Sequence, residues 1–303
     1  MSTVSVVTPT YNHADLLPRA IESVSEQTYD DVEHVVVDDA STDGTRGLMA
    51  DHDDRVRYIR KAENDGLSET RNVGIRNASG DRILFLDADD ELRADAIESL
   101  IEHLDRGEFV GVIPSKEKVE TDGSVRFEIL ERGVVTADDL REANVLGGIG
   151  GGLFERAALE AVGCFDAELR HSEDYDLYLR LAERYSLYAV DQPLYVHYTG
   201  FEDQLTSERG HYEHRDSIRR FLRKHEGRLS SYRLAERHYN LAHVCARQND
   251  PGEAVGELKR AIAAFPYRPP YYYYLVATKA GSRQYDAART VHETVREWLS
   301  RVT

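Results

Sequence analysis

Over the first hundred residues, short unbroken apolar runs alternate with stretches of helical spacing. VSVVT (4–8) runs up to Pro9, HVVVD (34–38) and RILFLD (82–87) are further continuous runs, and RVRYI (55–59) alternates. Between them, LLPRAIESVSEQ (16–27) sets Leu16, Leu17, Ile21 and Val24 at helical spacing, and LSETRNVGIRNA (67–78) and ADAIESLIEHL (94–104) read the same way. Continuous apolar strands alternating with helices predict an α/β fold, a parallel sheet covered on both faces.

Beyond residue 109 the pattern loosens. FVGVIPS (109–115) and SVRFEIL (124–130) read as strands, and GGIGGG (147–152) as a mobile glycine loop. LFERAALEAVG (153–163) is a short strand or turn running into a helix, EDYDLYLRLAERY (173–185) is an amphipathic helix, and LYAV and LYVHY are two short strands. After about residue 210 the chain is helical and polar-rich. Residues 235–266 place Leu241, Ala242, Ala254, Leu258, Ala261 and Pro266 at tetratricopeptide-like packing positions, and 269–299 fit the same scheme loosely. The tyrosines Tyr267, Tyr271, Tyr272, Tyr273 and Tyr274 are expected to fill helix interfaces.

Composition narrows the function. The chain has 303 residues and a net charge of −17, so it lacks the basic face that nucleic acid requires. Its six lysines against 55 acidic residues suggest adaptation to high salt. Cys164 and Cys245 have no metal-type spacing and are expected to be reduced core residues. No stretch has the roughly 18–20 apolar residues of a membrane span, and the start does not resemble a signal peptide. The expected location is cytoplasmic, with peripheral attachment at the cytoplasmic membrane face as the alternative.

Polar clusters follow three of the strands: Pro9-Thr10-Tyr11-Asn12, Asp38-Asp39-Ala40-Ser41, and Asp87-Ala88-Asp89-Asp90. Ligands of open α/β sheets bind at the carboxyl ends of strands, so the clusters predict one site. Carboxylates two apart on a turn can share a hard cation, Mn²⁺ or Mg²⁺, completed by substrate phosphates. A solvated acidic turn with an Asp capping the next helix is the plainer alternative.

Five motifs appear in order: VSVVTPTYN, VVVDDASTDGT, NDGLSETRNVGI, ASGDRILFLDADDEL and SEDYDLYLRL. Together they resemble the inverting family 2 glycosyltransferases of GT-A fold, over roughly residues 3–206. The resemblance implies a Rossmann-like α/β/α catalytic domain over 1–210 and a helical, tetratricopeptide-like accessory region over 211–303. It implies a nucleotide-diphospho-sugar donor, UDP- rather than GDP-linked, and a glycan or lipid-linked acceptor. Pro9, Thr10, Tyr11 and Asn12 would contact the nucleoside, with Tyr11 against base or ribose. Of Asp38 and Asp39, the second would recognise the base. Arg71 would point at the nucleotide and, with the metal, stabilise the diphosphate. Asp87 and Ala88 would lie near ribose or donor sugar, and Asp89 would be the main metal contact, with Asp87 as the second.

The resemblance further implies a general base at Asp174, with Glu173 as the alternative, and capping by Ser172 with an acidic first helical turn as the plainer reading of both. His197 stands near where the family places a basic residue for the diphosphate, although the usual basic pattern is missing. Thr70 replaces the family's usual alanine. The helical region would serve a protein partner or membrane docking. Two rivals stand beside this reading: a non-catalytic binding module on the same fold, and a dehalogenase-type phosphatase using Asp87, whose motif belongs much earlier in a chain.

Overall fold

The early apolar runs form the centre of a ten-stranded sheet in the computed structural model, which describes residues 3–50, 56–200, 215–281, 283–287 and 289–290. Val4–Thr10 (β1), Val32–Asp38 (β2), Val56–Arg60 (β3) and Arg82–Phe85 (β4) are parallel, in the spatial order β3-β2-β1-β4. Helices Leu17–Ser25 (α1), Thr45–Ala50 (α2) and Leu67–Asn77 (α3) connect them. The chain winds outward from β1 to β3, then crosses back to place β4 on the other side of β1. That reversal opens a crevice at the carboxyl ends of β1 and β4.

Then follow Glu91–Leu92 (β5), Ala96–Asp105 (α4), Phe109–Glu120 (β6), Val125–Glu128 (β7), Gly133–Val135 (β8), Ala137–Glu142 (α5), Leu153–Glu155 (β9), Arg156–Ala161 (α6), Glu173–Ala182 (α7) and Ser186–Thr199 (β10). The sheet continues β4-β9-β6-β10-β5, with β9 antiparallel to both neighbours and β6 parallel to β10. Strand β7 pairs antiparallel with β6, and β8 with β10. The predicted mostly parallel α/β sheet is present.

Several details differ from the sequence reading. LYAV and LYVHY belong to one strand, β10, whose register shifts around Pro193, a residue with no N–H for the ladder. Strands β5 and β8 and helices α2 and α5 carry too few residues for a periodic signal. Cys164 is not a core residue: it is half-buried in a left-handed turn at φ 55°, whereas Cys245 is buried, and both are free.

Strand β1 is buried at every position, so both its faces need cover. On one face Val4 and Val6 pack with Ala20, Val24, Ile97, Leu100 and Leu104. On the other, α3 lies very close: a Cβ on Gly74 would fall 2.2 Å from Cγ1 of Val7. Only glycine allows this approach, which brings Arg71, three residues earlier on α3, down to the sheet.

The chain divides into two compact units, Met1–Gln204 and Leu205–Thr303. In the second, helices Arg215–His225 (α8), Ser231–Arg247 (α9), Pro251–Ala264 (α10) and Pro269–Ala280 (α11) have cores of their own. Ser230 caps α9 by accepting from Arg233 N, and Asp250 caps α10 by accepting from Glu253 N, ahead of Pro251. Leu241, Ala242, Ala254, Leu258 and Ala261 are buried, while Pro266 is exposed. Tyr271 and Tyr274 fill helix interfaces as expected, but Tyr267, Tyr272 and Tyr273 face outward. The last part of the looser repeat expected over 269–299, from 291 on, lies outside the described residues. Among the described residues, no helix is long and apolar enough to cross a membrane.

Replacing Gly74 with alanine should destabilise the protein by about 1–3 kcal/mol through overpacking against Val7. A Val7→Ala change in the same chain should recover part of that loss, as read from urea midpoints. Equal midpoints for Gly74→Ala and the parent would show that α3 can shift without cost.

Candidate active site

The site is organised at the start of α3. The Asp39 carboxylate, just past β2, accepts from Asp65 N (3.1 Å) and Gly66 N (2.9 Å), so a negative charge sits at this helix N-terminus. About one turn further on, Arg71 is only 2% exposed. Its Nη2 donates to Asp87 Oδ1 (2.9 Å), and its Nη1 donates to Glu173 Oε1 (3.2 Å) and Asp174 Oδ1 (3.1 Å). The next residue, Asn72, exchanges two 2.9 Å hydrogen bonds with the backbone of Phe165, tying α3 to the segment that leads into α7.

Arg71 therefore joins the end of β4 to the start of α7. Burial pushes Asp87 upward, but Arg71 beside it outweighs that and holds its carboxyl below the ordinary range. The other two go the opposite way. Burial, then the neighbouring Asp174 charge, pushes Glu173 up to about 7 despite Arg71. Burial likewise raises Asp174, against the pull of Arg71. One guanidinium does not neutralise three carboxylates. The plain capping alternative for α7 fails at Ser172, whose side chain makes no capping bond and whose backbone is left-handed at φ 63°.

Around Asp87 the side chains divide by face. Ala88 is 2% exposed and packs with Leu17, Ile21, Val36 and Met49, so its methyl points into the core, away from the donor position expected for it. Asp87 and Asp89 are half-buried at the surface of the crevice. Asp90 turns inward, buried, and accepts from Tyr195 Oη (2.6 Å) and Tyr198 N (2.9 Å) and pairs with His197 Nδ1 (2.9 Å). Burial lowers the His197 pKa, but Asp90 outweighs it and raises the imidazole above its ordinary value. His197 thus reaches the site through Asp90. Arg19 on α1 donates to the Asp89 carbonyl and lies 3.5 Å over the Tyr198 ring, closing the same loop from outside.

The ends of β1 and β2 form the opposite rim. Pro9 and Thr10 are buried within β1. Tyr11 is 43% exposed, and Asn12, left-handed at φ 57°, accepts from Thr42 N (2.7 Å) while its own N–H donates to Ser41 Oγ (2.9 Å). Asp38 is fully buried and accepts from Ser41 N (2.7 Å) and Tyr58 Oη (2.5 Å), beside Arg60. It holds this rim together from below. Asp39 also pairs with Lys61 Nζ at 2.5 Å, and Lys61 donates to Thr70 Oγ1 (3.1 Å). The hydroxyl that departs from the family pattern thus anchors this lysine.

Sequence reasoning misses Tyr195, Arg19, Lys61 and Lys116, and gives Asp90 a place in the cluster but no role. Lysine scarcity is a usable signal: the first unit holds only Lys61, Lys116 and Lys118, and the first two point into this site. The rear half of the glycine loop is also not open. Ile149, Gly150, Gly151 and Gly152 are buried, and a Cβ on Gly150 would meet Tyr195 Oη at 2.5 Å.

The donor set suits a hard cation. Asp87, Asp89, Asp90, Glu173 and Asp174 outnumber Arg71 and Lys116, and the side-chain acceptors these acids supply are carboxylate oxygens. Among the described residues, no group of three or more His, Cys, Asp or Glu side chains is placed to hold a metal ion. A cation here would depend on Asp89, Asp87 and substrate oxygens.

A group whose folded pKa is raised contributes stability at low pH that disappears as pH rises through the folded value. For Glu173 that window runs from its ordinary 4.5 to about 7. Glu173→Gln, which mimics the protonated form, should melt about 3–5 °C above the parent at pH 8 and together with it near pH 4.5. A pH-independent difference in melting temperature would contradict this charge assignment.

Residues 5–161 match the sequence profile of Glycosyl transferase family 2. An uncharacterized glycosyltransferase of Haemophilus influenzae is 29% identical over 196 residues, 63% of this chain and 66% of the relative. The succinoglycan biosynthesis protein ExoO of Rhizobium meliloti is 38% identical over 187 residues, 57% of this chain and 54% of its own length. The alignments thus span two thirds or less of these relatives. Among solved structures, S. aureus TarS 1–349 in complex with UDP-GlcNAc is 20% identical, with a TM-score of 0.65 over 97% of this chain and 92% of that one, a likeness of fold. With its motifs in order and its profile match across more than half the sequence, the chain belongs to glycosyl transferase family 2.

Proposed function

We propose that the protein transfers a sugar, with inversion, from a UDP-linked donor to a hydroxyl of a glycan or lipid-linked acceptor. The observation that carries this reading is the Asp174 carboxylate, fixed between Arg71 Nη1 (3.1 Å) and Ile149 N (3.1 Å) and joined through Arg71 to Asp87 of the D-x-D turn. Donor end and base are thereby held in one frame. Asp174 accepts the acceptor's hydroxyl proton as that oxygen bonds to C1, while the C1–oxygen bond to the diphosphate breaks and its electron pair leaves with the nucleotide. A raised pKa makes Asp174 a stronger base than an ordinary carboxylate.

Glu173 shares Nη1 of Arg71 and is the alternative base. Arg71 itself, buried and committed to three carboxylates, acts by aligning them. A divalent cation, Mn²⁺ or Mg²⁺, held by Asp89 and Asp87 would neutralise the diphosphate as it departs. His197, steadied by Asp90, is the nearby imidazole for the same charge.

Asp39 supports uracil over guanine. A carboxylate offers about four lone-pair positions. Lys61 and Asp65 N occupy Oδ1, and Gly66 N occupies one position on Oδ2. One acceptor position remains, enough for the single ring N–H of uracil but not for the paired N–H donors of guanine. Tyr11, exposed beside it, offers a face for the base or ribose. Pro9, Thr10 and Asn12 shape that rim, and Asp38 supports it. The TarS structure of similar fold was solved with UDP-GlcNAc, in keeping with this choice.

On this reading residues 1–210 are the catalytic domain and 211–303 a tetratricopeptide-like accessory region for a protein partner or a membrane surface, with the enzyme working in the cytoplasm or at its membrane face. The buried small residues Ala242, Ala254 and Ala261 support the repeat packing.

Asp174→Asn should lower transfer by about 10²–10⁴-fold, measured with a panel of UDP-sugars, while UDP binding by calorimetry stays within twofold. Near-normal transfer would pass the role to Glu173. Asp89→Ala should abolish the Mn²⁺-dependent part of UDP binding, and GDP should bind more weakly than UDP to the parent. Equal UDP binding with and without Mn²⁺ would remove the cation from the mechanism.

A further inference from the structure

Lys116 lies on β6, and its role is not explained by the family motifs. It pairs in register with Tyr195 of β10, and its ammonium lies 5.3 Å from the Tyr195 ring centroid. The ammonium is under the charges of Asp174, Asp87, Asp90 and Glu128, and none of them forms an ion pair with it within 4 Å among the described residues. Instead Nζ donates to the carbonyl of Gly148, at 2.8 Å.

That carbonyl belongs to the front of the glycine loop, and the two halves of the loop are held differently. The rear half is fixed by packing and by the sheet. Gly151 N donates to Phe85 O (2.8 Å), Phe85 N donates to Gly152 O (3.2 Å), and Tyr195 fills the space a side chain at 150 or 151 would take. The front half has open space around Gly147, and Gly148 is exposed. It is held by polar contacts: Asn144 Nδ2 to Gly147 O (3.0 Å), Lys116 to Gly148 O, and Ile149 N to Asp174 Oδ2 (3.1 Å). Gly148 lies between the ammonium and the base, since a Cβ there would sit 3.4 Å from Lys116 Nζ and 3.5 Å from Asp174 Oδ2.

We infer that Lys116 is a positioning residue for the base: by holding Gly148 it fixes the front of the glycine loop, whose Ile149 N–H in turn aims the Asp174 carboxylate. This rests on Asp174 being the base. Arg71 holds Oδ1 and the loop holds Oδ2, so the carboxylate cannot rotate while both contacts stand. The groups facing Asp174 are Arg71 from α3, Glu173 and Tyr178 from α7, Asp87 from the end of β4 and Lys116 from β6. Of these, Lys116 is the one that also binds the loop.

The test compares Lys116→Met, Lys116→Arg and Asp174→Ala with the full-length parent. Hydrogen exchange of the peptide covering Gly147–Ile149, without substrate, should speed up at least tenfold in Lys116→Met and in Asp174→Ala. Lys116→Arg should restore it to within threefold. With UDP-glucose and UDP-N-acetylglucosamine as donors and water as acceptor, Lys116→Met should lower kcat at least tenfold, leave UDP affinity within twofold, and be rescued by arginine. Unchanged loop exchange in Lys116→Met overturns the inference. So does a loss of UDP affinity that matches the loss of rate, which would make Lys116 a nucleotide contact. Absence of any hydrolysis by the parent would count against the donor reading, and the exchange comparison would still decide the loop tie, with Asp174→Ala deciding it should Lys116→Met fail to fold.

Discussion

One buried guanidinium facing three carboxylates sets the rest of the first unit. Arg71 is nearly without solvent contact, and its partners come from the end of β4 and the start of α7, segments far apart in the chain. A buried ion cluster is weak support for stability, because each charge gives up its hydration. Its use here is geometric. Removing Arg71 would leave three carboxylates together without their cation, so their positions depend on that one side chain. The raised carboxyls of Glu173 and Asp174 show that the cluster remains short of positive charge.

The surrounding backbone is bent to serve this frame. Of the five non-glycine residues with left-handed φ among the described residues, three flank the crevice: Asn12 after β1, Ala40 after β2 and Ser172 before α7. Such conformations cost of order 1–3 kcal/mol each and survive where neighbouring contacts over-determine them. Asn12 is held by Ser41 and Thr42, and Ala40 lies between Asp39, which anchors α3, and Ser41, which binds Asp38. These bends turn three strand and loop ends toward one crevice, where a straight exit would scatter them.

Much of this architecture was legible in the sequence, and the reason is periodicity. The buried strands β1, β2 and β4 are apolar on both faces, and α1, α3 and α7 carry enough residues for a helical stripe. The same signal is absent from two- and three-residue strands such as β5 and β8, and it cannot show that LYAV and LYVHY are one bulged strand. The site was legible where ordered motifs carry it: Arg71 of α3, Asp87 after β4, and Glu173 and Asp174 at the start of α7 do converge. What local sequence could not show is direction. Asp87, Ala88, Asp89 and Asp90 are adjacent, yet Ala88 plugs the core and Asp90 ties down β10. Arg71 looks like a ligand-binding arginine until its burial is known. Lys116 has no motif at all, since its meaning depends on a loop over thirty residues later.

The direction of the Asp-rich turn also explains its unusual charge. A strand end with four acidic residues in five would repel itself if all faced the same way. Instead Asp87 is compensated by Arg71, Asp90 by hydrogen bonds from Tyr195 and Tyr198 and by His197, and Glu91 by Arg19. Asp89 stands half-buried at the crevice, with its carbonyl fixed by Arg19. Because its neighbours are compensated separately, the turn holds four acidic residues without bringing their charges to one point.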